Sequence, residues 1–176
     1  MTRDGELLRV VLMAGSAGGD ESLSDAAGVP CVDVAPGSWR VVMRAVADVG
    51  GRLDWLGGVD LGADPGRPED VLVAVVALVL DQDDSVLVRT TFGIDEELPS
   101  VTDVFPAAGW HERETAEMLG VRFAGGDERH LLLADGAGHP MRRDFGLEAR
   151  LATPWPGAVE GGRRAKTPGI NPEWMT

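Results

Sequence analysis

Hydrophobic and polar positions follow two different periods along this chain, and the periods predict the order of its helices and strands. Apolar side chains recur at helical spacing opposite a polar face over Pro36–Val49, which predicts an amphipathic helix. The apolar run Val71–Leu80, a short polar turn and the segment Ser85–Phe92 together predict a β-hairpin. The remaining segments predict shorter elements: strands at Val29–Val34, Arg52–Val59 and Val121–Phe123, a loop at Gly62–Pro68 and a helix at Ala107–Leu119.

This order of elements predicts an α+β fold, in which helices pack on one face of a mixed sheet, followed by an extended C-terminal tail. The pattern predicts no definite structure for the N-terminal extension, residues 1–28. Within it, Leu7–Met13 is compatible with an extra strand, and the glycine-rich segment Gly15–Gly19 predicts a flexible loop. We therefore expect an α+β domain over residues 29–133 and a tail over residues 134–176.

The tail is predicted to be extended because it is rich in glycine and proline from Ala134 onward. Proline interrupts both helices and sheet ladders. The tail nevertheless keeps large apolar side chains, which are unusual in a purely solvated linker: Phe145, Leu147, Leu151 and Trp155. Such a segment is suited to wrapping a partner protein, and its last part is open to disorder. A chain ending near Leu133 is expected to fold without binding that partner.

Composition limits the classes of function. The chain has 176 residues and a formal net charge of −13, which argues against a nucleic-acid partner. Its single cysteine, Cys31, excludes an internal disulfide and favours an inert core thiol. The longest apolar run, Val71–Leu80, would span only about 15 Å as a helix, half of a bilayer core. We expect a protein on the cytoplasmic side that reaches the membrane only through partners.

No segment has the pattern of a catalytic, cofactor-binding or metal site. Gly15–Gly19 lacks both the dinucleotide-binding pattern of glycines and the Lys-Ser/Thr pair of a phosphate-binding loop. The three histidines, His111, His130 and His139, lack the spacing of a helical metal site. A free-standing acid–base enzyme that uses His111 with Glu114 or Asp103 stays as a remote alternative, because His111 and Glu114 lie three residues apart on one predicted helix.

Residues 97–123 combine a segment punctuated by proline with a short charged helix. Pro99 favours an extended conformation before it, and Pro106 separates this segment from the helix. Gly120 is a typical residue to end the helix. The apolar positions near helical spacing are Ala108, Thr115, Met118 and Leu119. On or beside the polar face lie Glu112, Arg113, Glu114 and Glu117. This face is either a solvated surface or a surface that docks on another protein.

The stretch 97–123 resembles the most specific motif of the C subunit of NADH-quinone oxidoreductase, respiratory complex I. Other segments are similar to that family too, so that the resemblance covers roughly residues 30–158: Asp33–Trp39, Leu53–Asp60, His139–Phe145 and Pro154–Gly157. The chain departs from the family pattern at Leu119, where an aromatic residue is common. It also departs at Gly125–His130, a shortened loop without the usual His-Pro pair.

The resemblance implies a non-catalytic scaffold subunit of the peripheral arm, on the cytoplasmic side of the cell membrane. It implies no flavin or iron–sulfur cluster in this chain, whereas the complex as a whole uses NADH, FMN, iron–sulfur clusters and quinone. The quinone-site D subunit, over which the C-terminal extension wraps, and the neighbouring B and I subunits are the implied partners. The equivalent subunit of a membrane-bound hydrogenase or formate hydrogenlyase is the alternative. The expected interface residues are Trp110, Glu112, Arg113, Glu114, His139, Pro140, Arg142, Arg143, Asp144 and Phe145.

Overall fold

The computed structural model describes residues 6–15, 22–26, 28–64, 67–81, 84–134 and 136–146. In these ranges the helices are α1 (Glu6–Gly15), α2 (Trp39–Asp48) and α3 (Ala108–Leu119), with a 3-10 turn at Pro36–Ser38 before α2. The strands are β1 (Ser22–Ala26), β2 (Val29–Asp33), β3 (Arg52–Asp64), β4 (Arg67–Leu80), β5 (Ser85–Gly93), β6 (Glu97–Pro99) and β7 (Arg122–Ala124).

Five strands form one mixed sheet in the order β1-β2-β5-β4-β3. β2 and β5 are parallel, and the other neighbours are antiparallel. The predicted hairpin is confirmed as β4 and β5, in which Val79 pairs with Val86. β6 and β7 form a separate parallel pair next to α3. The predicted α+β fold with a mixed sheet is therefore confirmed.

The hydrophobic core lies between one face of this sheet and the helices. A cross-strand row of that face contains Val32, Val88, Ala77 and Leu56, all buried. These strand residues share one cluster with the buried stripes of the three described helices. Gly58 lies on the same face, and its missing side chain makes room for α3, since an added Cβ would stand 2.5 Å from Leu119. The sheet thus fixes the position of α3.

Two sequence predictions are corrected by the structure. Leu7–Met13, considered as an extra strand, lies in α1, where Leu7 and Val11 are buried four residues apart. A nearly continuous apolar run hides this helical period. The loop predicted at Gly62–Pro68 is shorter, because β3 continues to Asp64 and β4 begins at Arg67. Register shifts in β3, with Gly62 at φ 86°, accommodate the glycine inside the strand.

Parts of the predicted terminal segments lie outside the described residues. These parts are most of the loop Gly15–Gly19 and residues 147–176 of the tail. A boundary between two units of the chain falls after Phe145. The predicted boundary between residues 133 and 134 stays a prediction. No helix among the described residues is both long enough and apolar enough to cross a bilayer.

Candidate partner-binding site around helix α3

Helix α3 begins after Pro106 and ends at Gly120, which takes the left-handed conformation with φ 81°. Glycine is favoured there because other residues are strained at positive φ. The ring of His139 also packs against this glycine, and an added Cβ would lie 2.9 Å from it. Gly120 therefore both ends α3 and admits the turn that contains His139.

Glu112 lies on the buried side of α3 and is only 2% exposed. Its carboxylate accepts hydrogen bonds from the Ser100 hydroxyl at 2.7 Å and from the Val101 backbone N–H at 2.8 Å. Burial raises the pKa of Glu112, although these two hydrogen bonds act in the opposite direction. The carboxylate therefore anchors α3 to the segment that follows β6.

A second contact attaches α2 to that segment. Arg40 and Arg44, both on α2, donate to the same carboxylate oxygen of Asp103 at 2.7 and 2.8 Å. Asp103, considered above as a partner of His111 in an acid–base enzyme, is thus engaged by two guanidinium groups. These exposed pairs position the entry to α3 and add little stability individually.

The polar side of α3 holds the loop that runs from Gly125 to Leu133. Arg113 donates from Nε to the Arg129 carbonyl at 2.7 Å and from a second nitrogen to the His130 carbonyl. Glu117 accepts hydrogen bonds from three successive backbone N–H groups, those of Leu131, Leu132 and Leu133.

The environment of Glu117 favours its ionised form. Burial would raise the pKa of Glu117, but the three N–H groups and the nearby His130 lower it, and the net shift is downward. The Nδ1 atom of His130 lies 3.4 Å from the Glu117 carboxylate. The charged side chains of α3 therefore position its own loop.

The turn His139–Phe145 is fastened to both α3 and β3. The Nδ1 atom of His139 lies 2.8 Å from the Glu117 carbonyl oxygen, and the Met141 N–H donates to the Met118 carbonyl at 3.0 Å. Asp60 of β3 accepts from the Arg143 N–H at 2.8 Å and from the Gly62 N–H at 2.7 Å. Asp60 thereby joins two segments that are far apart in the sequence.

A cavity of about 560 Å³ lies between α3, β7 and the loop. Apolar side chains of Ala116, Val121 and Phe123 contribute to its wall. Five carboxylate residues and three arginines line it as well: Glu97, Glu112, Glu117, Asp127 and Glu128, with Arg113, Arg122 and Arg129. This volume falls in the range of typical ligand pockets.

The predicted interface residues fall into three groups. Trp110, 67% exposed, and Glu114 lie on the open surface of α3. Glu112 and Arg113 form the internal contacts described above. The third group is the turn: His139, Pro140, Arg142 and Phe145 are half-buried, whereas Arg143 and Asp144 are exposed. Arg142 also pairs with Asp144 at 3.1 Å.

The structure adds residues that the sequence pattern did not select, above all Asp60 and Ser100. A signal for Asp60 was present, because this acidic residue ends a segment that resembles the family. The same kind of signal was present for Ser100, which lies in the stretch 97–123 that resembles the family motif. Conversely, His111 and Glu114 form no hydrogen bond with each other among the described residues, and neither lines the cavity. The described residues also contain no group of three side chains suited to hold a metal ion.

Comparison with known proteins shows that the chain is similar to one protein family. A family model described as the respiratory-chain NADH dehydrogenase 30 kDa subunit matches residues 32–151. The NADH-quinone oxidoreductase C subunit of Mesorhizobium japonicum is 41% identical over 102 residues, which cover 54% of this chain and 50% of that protein. The C subunit of Azorhizobium caulinodans is 40% identical over 89 residues, 49% of this chain and 42% of that protein. The chain thus spans about half the length of these curated relatives.

A solved structure shows the same fold. It is a chain in the membrane-bound sulfane sulfur reductase, an archaeal respiratory membrane complex. The TM-score is 0.59, and the match covers 83% of this chain and 87% of that chain. At 17% sequence identity, this likeness bears on the fold alone.

Proposed function

The chain belongs to the family of the respiratory-chain NADH dehydrogenase 30 kDa subunit, and on this premise we propose that it is a non-catalytic scaffold subunit of NADH-quinone oxidoreductase. The proposed place is the peripheral arm, on the cytoplasmic side of the cell membrane. There it supports electron transfer from NADH to quinone through cofactors held by other subunits: FMN and iron–sulfur clusters.

One observation carries the non-catalytic part of this proposal. The ionisable side chains Glu112, Arg113 and Glu117 of α3 are engaged in hydrogen bonds that position its own loop and the segment after β6. A general acid or base has to reach a substrate proton, whereas Glu112 is almost completely buried. This arrangement supports the shaping of a surface better than it supports proton transfer.

The proposed partners are the quinone-site D subunit and the neighbouring B and I subunits. Trp110 is the largest exposed side chain on α3, and tryptophan is enriched among the residues that dominate protein interfaces. The turn His139–Phe145 lies beside the end of α3 and is included in the proposed interface. The tail over residues 134–176 is proposed to wrap the D subunit.

Affinity purification of the tagged chain from its own host tests this proposal. We expect other subunits of NADH-quinone oxidoreductase to copurify with it, the D subunit among them. Recovery of a hydrogenase large subunit instead would support the alternative complex, and recovery of no respiratory subunit would contradict both assignments.

A variant pair tests whether the α3 surface contributes to the interface. Trp110→Ala should reduce the amount of the D subunit that copurifies severalfold, because an interfacial tryptophan is worth about 2 kcal/mol or more. Trp55→Ala is the matched control, since Trp55 is also exposed but lies on β3. An equal loss in both variants would contradict the assignment to α3.

A further inference from the structure

We propose that the cavity beside α3 binds an arginine-containing segment of a partner protein. This inference rests on the proposed function for the existence of a partner, and it adds the chemistry that the partner presents. Three properties of the cavity support it: its charges, its apolar wall and the rigidity of its frame.

The charge of the cavity favours a cation. Four carboxylate residues line it against three arginines when Glu112, which is buried and has a raised pKa, is left out. The arginines are already engaged: Arg113 donates to backbone carbonyls, Arg129 pairs with Asp127 at 2.6 Å, and Arg122 lies 3.6 Å from a carboxylate oxygen of Glu97. The remaining excess is negative, and a cationic ligand complements it.

One carboxylate is available for a direct pair. Glu128 lines the cavity and is exposed, and it forms no hydrogen bond or ion pair within the described residues. A planar guanidinium can engage a carboxylate through two parallel hydrogen bonds, which an ammonium group cannot do. Glu128 thus favours arginine over lysine.

The apolar wall matches the rest of an arginine side chain. Ala116, Val121 and Phe123 are apolar residues of the cavity lining. Long basic side chains bury their methylene stems on such surface while the charged end stays at the edge. The cavity, about 560 Å³, is larger than one side chain and can also admit residues next to the arginine.

The frame of the cavity is held in place without a ligand. Glu112 fixes α3 to Val101, Arg113 holds the loop at Arg129, and Glu117 holds it at Leu132. A preorganised site loses less conformational entropy on binding than one that has to form around its ligand.

Titration of the full chain with two synthetic peptides tests the proposal. The probes are acetyl-Ala-Leu-Arg-Leu-Ala-amide and the same peptide with glutamate in place of arginine. Binding is followed by NMR through the backbone amide signals of Gly125, Gly126 and His130. The arginine peptide should shift these signals, whereas the glutamate peptide should leave them unchanged. Equal shifts with both peptides, or none with either, would overturn the inference.

Two charge-reversal variants test whether Glu128 is the residue that binds the arginine peptide. Glu128→Lys should weaken binding of the arginine peptide about fivefold or more, since it removes an exposed ion pair and adds repulsion. Asp48→Lys changes the net charge equally but lies on α2, outside the cavity lining, so it should have little effect. Equal weakening in both variants would show a general effect of the acidic chain and would overturn the site.

Copurification of respiratory subunits with the variants distinguishes a failure of this inference from a failure of the proposed function. Copurification of respiratory subunits should fall for Glu128→Lys and not for Asp48→Lys, since Asp48 lies on α2 and outside the proposed interface. Unchanged copurification with Glu128→Lys would overturn the assignment of the cavity to a partner while the proposed function stands. Absence of respiratory subunits even with the unaltered chain would overturn the proposed function, and the peptide result would still describe the cavity.

Discussion

The buried carboxylate of Glu112 makes stability depend on pH. Burial raises its pKa above the ordinary 4.5, so the folded chain holds this proton more tightly than the unfolded chain does. The contribution of Glu112 to stability therefore falls as pH rises from about 4.5 through the raised pKa. We predict that Glu112→Gln removes this part of the pH dependence, since the amide can still accept from Val101 and can donate to Ser100. Urea unfolding of both chains at several pH values gives the free energy of unfolding and its dependence on pH.

The alanine variant and a surface control complete this prediction. Glu112→Ala leaves the Val101 N–H buried without its acceptor and should cost about 1–3 kcal/mol. Glu114→Gln, on the exposed side of α3, should change neither the stability nor its pH dependence. The prediction fails if Glu112→Gln retains the full dependence of the unaltered chain as pH rises from the ordinary glutamate pKa to neutrality.

The burial of Glu112 was predictable in part from spacing. Ala108, Glu112, Thr115 and Leu119 are all buried and recur at helical intervals along one face of α3. The sequence pattern favoured Met118 for this stripe and placed Glu112 on or beside the polar face, because a glutamate among charged neighbours resembles a solvated residue. Its position is decided by a partner elsewhere in the chain, the hydroxyl of Ser100, and periodicity carries no information about that contact.

At the scale of elements, Asp60 holds the turn His139–Phe145 against β3. Asp60 is only 7% exposed, and its carboxylate accepts hydrogen bonds from the Arg143 and Gly62 N–H groups. We predict that Asp60→Ala releases the turn, since hydrogen bonds to a charged group contribute about 1.5–3 kcal/mol. Trypsin should then cleave after Arg142 and Arg143 severalfold faster than in the unaltered chain.

The control for this prediction lies within the turn itself. Asp144→Ala removes an exposed carboxylate that pairs only with the nearby Arg142 in the described chain. Cleavage should therefore stay close to that of the unaltered chain. If both variants are cleaved at the same rate, local charge rather than the contact with Asp60 governs access to the turn.

The elements most accurately predicted were those with long, clear periods. The helix at Pro36–Val49 and the hairpin of β4 and β5 combine such periods with obvious turn residues. Helix α1 was missed because nearly all of its positions are apolar, which suits a buried strand as well as a helix. The prediction ended β3 too early, at Val59 instead of Asp64, because glycine usually marks a turn, whereas here Gly62 lies at a bulge.

At the scale of the whole molecule, the limits of the folded domain are open to experiment. The sequence predicts that the α+β domain ends at residue 133, because periodicity is lost beyond it. Three contacts nevertheless join residues 139–143 to the domain: the ring of His139 near the Glu117 carbonyl, the Met141 N–H on Met118 and the Arg143 N–H on Asp60. Contacts of this kind leave no periodic pattern in the sequence.

Two truncated chains distinguish these possibilities. We predict that a chain ending at Leu133 is less stable than one ending at Gly146 by about 2–3 kcal/mol, since each of the three contacts contributes about 1 kcal/mol. For a domain of this size, the difference in Tm should be several degrees, measurable by calorimetry. Comparing two truncations removes any effect of residues 147–176, which both lack. Equal Tm values would instead place the end of the stable domain at residue 133 and make residues 134–146 part of the tail proposed to wrap a partner.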